Sequence, residues 1–146
     1  MEAVIINESK TFILYGFSKL HDQSKPYSAT IFELLDRVWE EVRNNKLSLS
    51  GINHVVYEDG HHMFAGIELI SPPEGDSLLE KKIVHFQKYA YCKHIGPYNK
   101  LDESYQKVRT LAENSGGEIE LPLIEVYGHW TDDESKLETE IFHNLK

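Results

Sequence analysis

The sequence predicts an α+β fold in which a β-α-β-β unit is written twice. The two copies are expected to join about a pseudo-two-fold axis in one antiparallel sheet that carries two helices and a central ligand groove. Three observations predict this. Strand-like and helix-like segments follow one another in the same order in both halves. Shifting the first half by 70 residues places Leu35 on Tyr105, Val38 on Val108, Val56 on Val126 and Tyr57 on Tyr127 without a gap. A single half would leave one sheet edge open and one helix face half covered, and a second copy solves both problems.

The elements follow in order. An opening strand runs roughly from Val4 to Phe17. Thr30 and Glu33 have the spacing of a capping box. Behind them Ile31, Leu34, Leu35, Val38, Trp39 and Val42 fall on one helical stripe that Asn44 and Asn45 end. The runs Ile52–Tyr57 and Met63–Leu69, separated by Glu58-Asp59-Gly60, read as a hairpin. Ser71-Pro72-Pro73-Glu74-Gly75-Asp76 is the joint between copies. The second copy opens with a strand from Lys82 to Ile95. Gly96-Pro97 breaks it, and Asn99 is the expected cap of a helix with the stripe Leu101, Tyr105, Val108, Leu111 and Ala112. Asn114-Ser115-Gly116-Gly117 supplies a left-handed stop. Pro122–Tyr127, a turn at Thr131-Asp132-Asp133-Glu134, and Leu137–Leu145 complete the second hairpin. A length of 146 residues suits one domain over 1–146, with repeat one at about 1–70 and repeat two at about 78–146.

Charge and cysteine usage narrow the function. The 24 acidic residues outnumber the 15 basic ones, for a formal net charge of -9. That balance argues against nucleic-acid or anionic-membrane binding, both of which need a positive field. A lone cysteine, Cys92, can form neither an internal disulfide nor a zinc site, so a reducing compartment is expected. Polar residues interrupt the N-terminus, and nowhere do 18 apolar residues run together, so the expected location is cytoplasmic. His61 and His62 are neighbours on a strand and point to opposite faces, so no metal site and no cofactor is expected.

One residue stands out against this background. On the strand from Pro122, Ile124 and Val126 share a face that reads as sheet against helix. Leu123, Glu125, Tyr127 and His129 share the other face. Glu125 thus sits mid-strand among apolar and aromatic neighbours, at the position where the first copy has Val55. Burying a lone carboxylate costs several kcal/mol, so it faces water or is kept for a purpose. Tyr57, Tyr91, Tyr127, Trp39 and Trp130 are the aromatic residues expected to line a cleft around it. Ring faces attract cations at roughly 0.5–2 kcal/mol each, so an acid in aromatic company suits a bulky, flat cation.

The run Tyr91-Cys92-Lys93-His94-Ile95-Gly96-Pro97-Tyr98-Asn99-Lys100-Leu101 resembles the signature of the GyrI-like small-molecule-binding family, found also as the effector-binding domain of AraC- and MerR-type bacterial regulators. Its core is His-x-Gly-Pro-Tyr-x-x-Leu. Leu123-Ile124-Glu125-Val126-Tyr127 and Leu137-Glu138-Thr139-Glu140-Ile141 match further on. The resemblance is close from about residue 82 onward and rests on architecture alone before it. It implies a duplicated fold with a central groove that takes varied, often cationic and aromatic, drugs, and Glu125 matches the family's pocket glutamate. Phe142-His143-Asn144 departs from the usual aliphatic-proline ending, which puts His143 either in the core or at the pocket rim.

Three functions remain open at this point. A binder, sensor or sequestering protein for lipophilic, cationic or aromatic small molecules is the first. A hydrolase of strained, cyclopropanoid-type electrophiles is the second, with Glu125 as catalytic acid or base toward water. An inhibitor or protector that acts on a partner protein such as gyrase is the third. The two repeats use up the chain without a basic helix-turn-helix stretch, so regulation of transcription is expected to run through a separate regulator.

Overall fold

The computed structural model describes residues 2–47, 49–73 and 77–146. Its elements in chain order are β1 (Val4–Ile6), β2 (Lys10–Leu20), α1 (Tyr27–Asn45), β3 (Leu49–Tyr57), β4 (His62–Leu69), β5 (Glu80–Phe86), β6 (Tyr89–Ile95), α2 (Leu101–Asn114), β7 (Ile119–Tyr127) and β8 (Glu138–Leu145). Among the described residues the eight strands form one open sheet in the order β1-β6-β8-β7-β3-β4-β2-β5, antiparallel throughout. Of the joint Ser71–Asp76, residues 74–76 lie outside the described residues.

The order is a palindrome about the β7–β3 pair. Val55 and Glu125, equivalent under the 70-residue shift, are also cross-strand partners. The pseudo-two-fold axis therefore passes through this pair, and Glu125 stands at the centre of the molecule.

Each repeat opens with two strands rather than the single long one expected. The polar run Asn7-Glu8-Ser9 separates β1 from β2, and Gln87-Lys88 separates β5 from β6. Each short first strand crosses to the far edge of the other repeat, β1 onto β6 and β5 onto β2. The copies are laced together by this exchange, which also covers the edge strands β2 and β6.

The sheet curls strongly. Phe12 on β2 and Phe142 on β8 meet edge to face at 5.1 Å, although β4, β3 and β7 lie between their strands. Phe12, Leu14, Val56, Phe64, Phe86, Ile124 and Val126 fill the concave face with strand residues alone. Both helices lie on the convex face. Leu34, Val38 and Val42 of α1 pack on Val55, Ala65 and Ile67, and Val108 and Ala112 of α2 pack on Ala90, Cys92 and Ile141. The expected face assignment is thus reversed: Ile124 and Val126 look away from the helices, and Glu125 looks toward them.

The helix starts also differ from expectation. Pro26 precedes α1, whose first residue is Tyr27, so Thr30 lies inside the helix rather than capping it. Thr30 is buried and its Oγ1 lies 2.8 Å from His21 Nδ1. Glu33 takes an ion pair with Lys19 at 2.5 Å. In the second half Asn99 sits in a 3₁₀ turn, Tyr98–Lys100, and provides no side-chain cap. The left-handed stop behaves as read: Gly116 has φ +72° and Gly117 N–H donates to the Ala112 carbonyl at 2.9 Å. Among the described residues no helix is long and apolar enough to cross a membrane.

Candidate functional site

Glu125 is 4% exposed. β7 presents it to the space between the helices, because strand residues alternate and its neighbours Ile124 and Val126 belong to the concave core. Three tyrosines from three elements donate to it. Tyr57, the last residue of β3, reaches Oε1 at 2.8 Å. Tyr127, two residues along β7, reaches the same oxygen at 2.7 Å. Tyr105 comes down from α2 onto Oε2 at 2.5 Å. An ionised carboxylate has about four acceptor positions, and donors among the described residues fill three of them, two on Oε1 and one on Oε2.

This cage resolves the cost of burial. A carboxylate taken from water without partners is unstable, whereas one held by several donors is not. Burial first, and the negative charge of Glu125 behind it, pushes the Tyr57, Tyr105 and Tyr127 hydroxyls far above the ordinary tyrosine value of 10.0. They stay protonated, and so stay donors, throughout the physiological range.

A cavity of about 510 Å³ opens over the acid. Tyr27, Tyr57, Tyr105, Met63 and Leu123 form its walls, and the Glu58–His62 turn forms its rim. Among the described residues that line it, none is Lys or Arg, while Glu58, Asp59 and Glu125 are acidic. Lys82 donates to Glu58 at 2.6 Å, which leaves the charge of Glu125 and Asp59 facing the space. The volume is that of an ordinary small-molecule site, and its mix of ring walls with a few placed polar groups is typical of one.

An edge-to-face tyrosine pair occurs on each side of Glu125. Tyr27 meets Tyr57 edge to face at 5.7 Å, and Tyr98 meets Tyr127 edge to face at 5.5 Å. Behind the first pair, His21 stacks on Tyr27 at 4.2 Å. His94 holds the turn beneath the second, with Nδ1 at 2.9 Å from Ser104 Oγ and Nε2 at 2.9 Å from the Pro97 carbonyl. The His-to-Pro-Tyr signature is therefore present in both halves, as His21…Pro26-Tyr27 and His94…Pro97-Tyr98.

The family model of the GyrI-like small molecule binding domain matches residues 3–146. The chain belongs to this family. Among solved structures, EcmrR in its DNA complex gives a TM-score of 0.75 at 16% identity, over 99% of this chain and 57% of that one. The chain therefore spans a little over half the length of EcmrR. The crystal structure of the EcmrR C-terminal domain alone gives 0.71 at 16% identity, over 99% and 97% of the two chains. SAV2435 bound to tetraphenylphosphonium gives 0.63 at 16% identity, over 100% of this chain and 94% of that one. A hydrolase from Listeria innocua gives 0.59 at 12% identity, over 99% and 92%. At these identities the likeness is one of fold. No curated protein sequence matches the chain.

Within this GyrI-like fold the expected lining residues part company. Tyr57 and Tyr127 reach Glu125. Tyr91 does not: it lies on the concave face, packs on Phe142 at 5.1 Å and donates to Glu140 at 2.5 Å. The reason is parity, since Tyr89 and Tyr91 alternate with the helix-facing Ala90 and Cys92. Trp39 packs in the core beneath α1 and its Nε1–H donates to Asn53 Oδ1 at 2.9 Å, outside the cavity lining. Trp130 is 74% exposed on the β7–β8 hairpin and also lies outside that lining. His143 Nδ1–H donates to the Glu120 carbonyl, 3.0 Å away, and is not a lining residue either.

Two of the tyrosine walls, Tyr27 and Tyr105, are not among the expected site residues. Helical periodicity puts Tyr105 on the α2 stripe, and a hydroxyl where the first half has Leu35 is the signal that marks it. Tyr27 was hidden because the His-to-Pro spacing is five residues in the first half and three in the second.

Proposed function

We propose that this protein binds lipophilic, cationic aromatic small molecules in the cavity over Glu125, as a sensor or sequestering protein. The observation that carries this reading is a buried carboxylate, held by three tyrosine hydroxyls, at the floor of a ring-walled cavity with no Lys or Arg among its described lining residues. A cation about 8 Å from that charge, at an effective dielectric near 20, gains about 2 kcal/mol. Ring faces add roughly 0.5–2 kcal/mol each. The tyrosines hold the carboxylate in place before the ligand arrives, so little ordering cost falls on binding. The reading includes a cytoplasmic setting, which a chain with one cysteine suits.

The test is a calorimetric titration with tetraphenylphosphonium. Glu125→Gln is expected to weaken binding about 30-fold, the equivalent of about 2 kcal/mol, with an unchanged circular dichroism spectrum. Equal affinity in the folded variant would remove the carboxylate from the recognition.

A second reading rests on the pairing of that carboxylate with hydroxyl donors, the parts of an acid–base pair acting on water. Glu125 would take a proton from water as the water oxygen bonds to a strained ring carbon and the ring C–C bond at that carbon breaks. A tyrosine hydroxyl would protonate the freed carbon or the atom conjugated with it, and the proton on Glu125 would pass back to that tyrosine. Mass spectrometry of a cyclopropane-bearing electrophile incubated with the protein is then expected to show addition of one water that Glu125→Gln abolishes. An unchanged electrophile at long times would leave binding alone.

A further inference from the structure

We infer that the lobe between Tyr98 and the long β7–β8 hairpin is a second binding site for small aromatic cations, the pseudo-two-fold mate of the Glu125 cavity. It takes the same ligand class as the proposed function but depends on different residues.

The symmetry places it. Tyr27 and Tyr57 wall the first cavity, and their mates Tyr98 and Tyr127 stand in the same edge-to-face contact on the other side of the axis. The hairpin that rims the first cavity is short: Tyr57 and Met63 are cross-strand partners. The matching partners in the second repeat are Tyr127 and Thr139. The second hairpin is thus six residues longer, and the added segment carries Trp130, Asp132 and Glu134 over Tyr98.

Together these residues enclose a cavity of about 370 Å³ whose lining includes Tyr98, Trp130, Asp132, Glu134 and Leu137. Among the described lining residues none is Lys or Arg. Trp130 is 74% exposed and Tyr98 is 41% exposed, so both rings offer open faces. Tryptophan gives the strongest cation–π platform of any side chain. The two carboxylates supply the attraction that Glu125 supplies in the first lobe, where Val55 stands opposite. At the position matching Met63, the buried Thr139 carries a hydroxyl with no hydrogen-bond partner among the described residues. The second lobe is thus more polar than the first and, at about 370 Å³ against about 510 Å³, smaller, which suits a smaller cation.

The experiment follows the two tryptophan indole N–H signals by nitrogen-15 NMR during titration with trimethylphenylammonium, with Trp130→Phe to assign them. In the wild type and in Glu125→Gln alike, the Trp130 signal is expected to shift saturably with midpoints within about twofold of each other. In the Asp132→Asn, Glu134→Gln double variant the midpoint is expected to rise about tenfold. A Trp130 signal that stays fixed or drifts linearly would overturn the second site. So would a shift that disappears in Glu125→Gln, because the lobe would then be an annex of the first cavity. Failure of the Glu125 reading shows elsewhere, as equal tetraphenylphosphonium affinity in the wild type and Glu125→Gln.

Discussion

Each of the three tyrosines around Glu125 gives up a hydrogen bond to water and receives one carboxylate oxygen in exchange. The exchange has a consequence at alkaline pH. Burial and the Glu125 charge raise these hydroxyls above 10.0 in the folded state only. A group raised on folding contributes stability below its unfolded value and loses it as pH climbs past that value. Absorbance at 295 nm is therefore expected to show Tyr57, Tyr105 and Tyr127 silent at pH 10–11 and ionising together with unfolding. Smooth titration of all eight tyrosines near their ordinary value would contradict the cage. Tyr105→Phe removes the donor to Oε2 and is expected to cost about 1–3 kcal/mol in urea denaturation. The acid itself was legible in the sequence, as a charge in mid-strand where the other repeat has Val55. Its third donor was not, because helical periodicity says that Tyr105 points inward without saying what it meets there.

At the scale of elements, the close approach of β2 and β4 fixes how the sheet curls under α1. Gly16 and Gly66 are cross-strand partners, and a Cβ on Gly16 would lie 1.9 Å from the Ala65 carbonyl oxygen. Gly16→Ala must push the strands apart and is expected to cost more than about 3 kcal/mol. Gly116→Ala, at φ +72° with nothing within 4 Å of the added carbon, should cost about 1–2 kcal/mol. Urea denaturation of both variants checks the order, and equal losses would contradict it. The helices and both hairpins were readable from stripes and turn residues. The splitting of each opening strand was not, since Asn7-Glu8-Ser9 and Gln87-Lys88 interrupt the pattern only briefly. Nor does alternation reveal that β1 and β5 pair with the opposite repeat. The same ambiguity of partner explains the reversed faces: alternation separates Ile124 from Glu125 but does not say which side the helices take.

For the whole molecule, two histidines tie stability to pH in the opposite direction from the tyrosines. Burial holds His54 below its ordinary 6.5, against the raising effect of Glu68 at 3.1 Å. Burial likewise holds down His143. Groups lowered on folding bind protons in the unfolded state first, so stability falls as pH drops through 6.5. Thermal denaturation is expected to show a lower midpoint at pH 5.5 than at 7.5, with a smaller drop in His143→Asn. An equal drop in the variant would discharge His143 from this role. Across the whole chain, doubling of the unit was legible because 70-residue spacing preserves the α-to-β3 and α-to-β7 distances. The groove's asymmetry, with an acid cage on one side and a longer hairpin on the other, arises from departures from that repeat. The most direct measurement of the central claim is a crystal structure of the chain with tetraphenylphosphonium. The cation is expected in the cavity over Glu125, within about 6 Å of the Tyr27, Tyr57 or Tyr105 ring centres, with the three hydroxyls still on the carboxylate. A cation seated elsewhere, with that cavity holding only water, would contradict that claim.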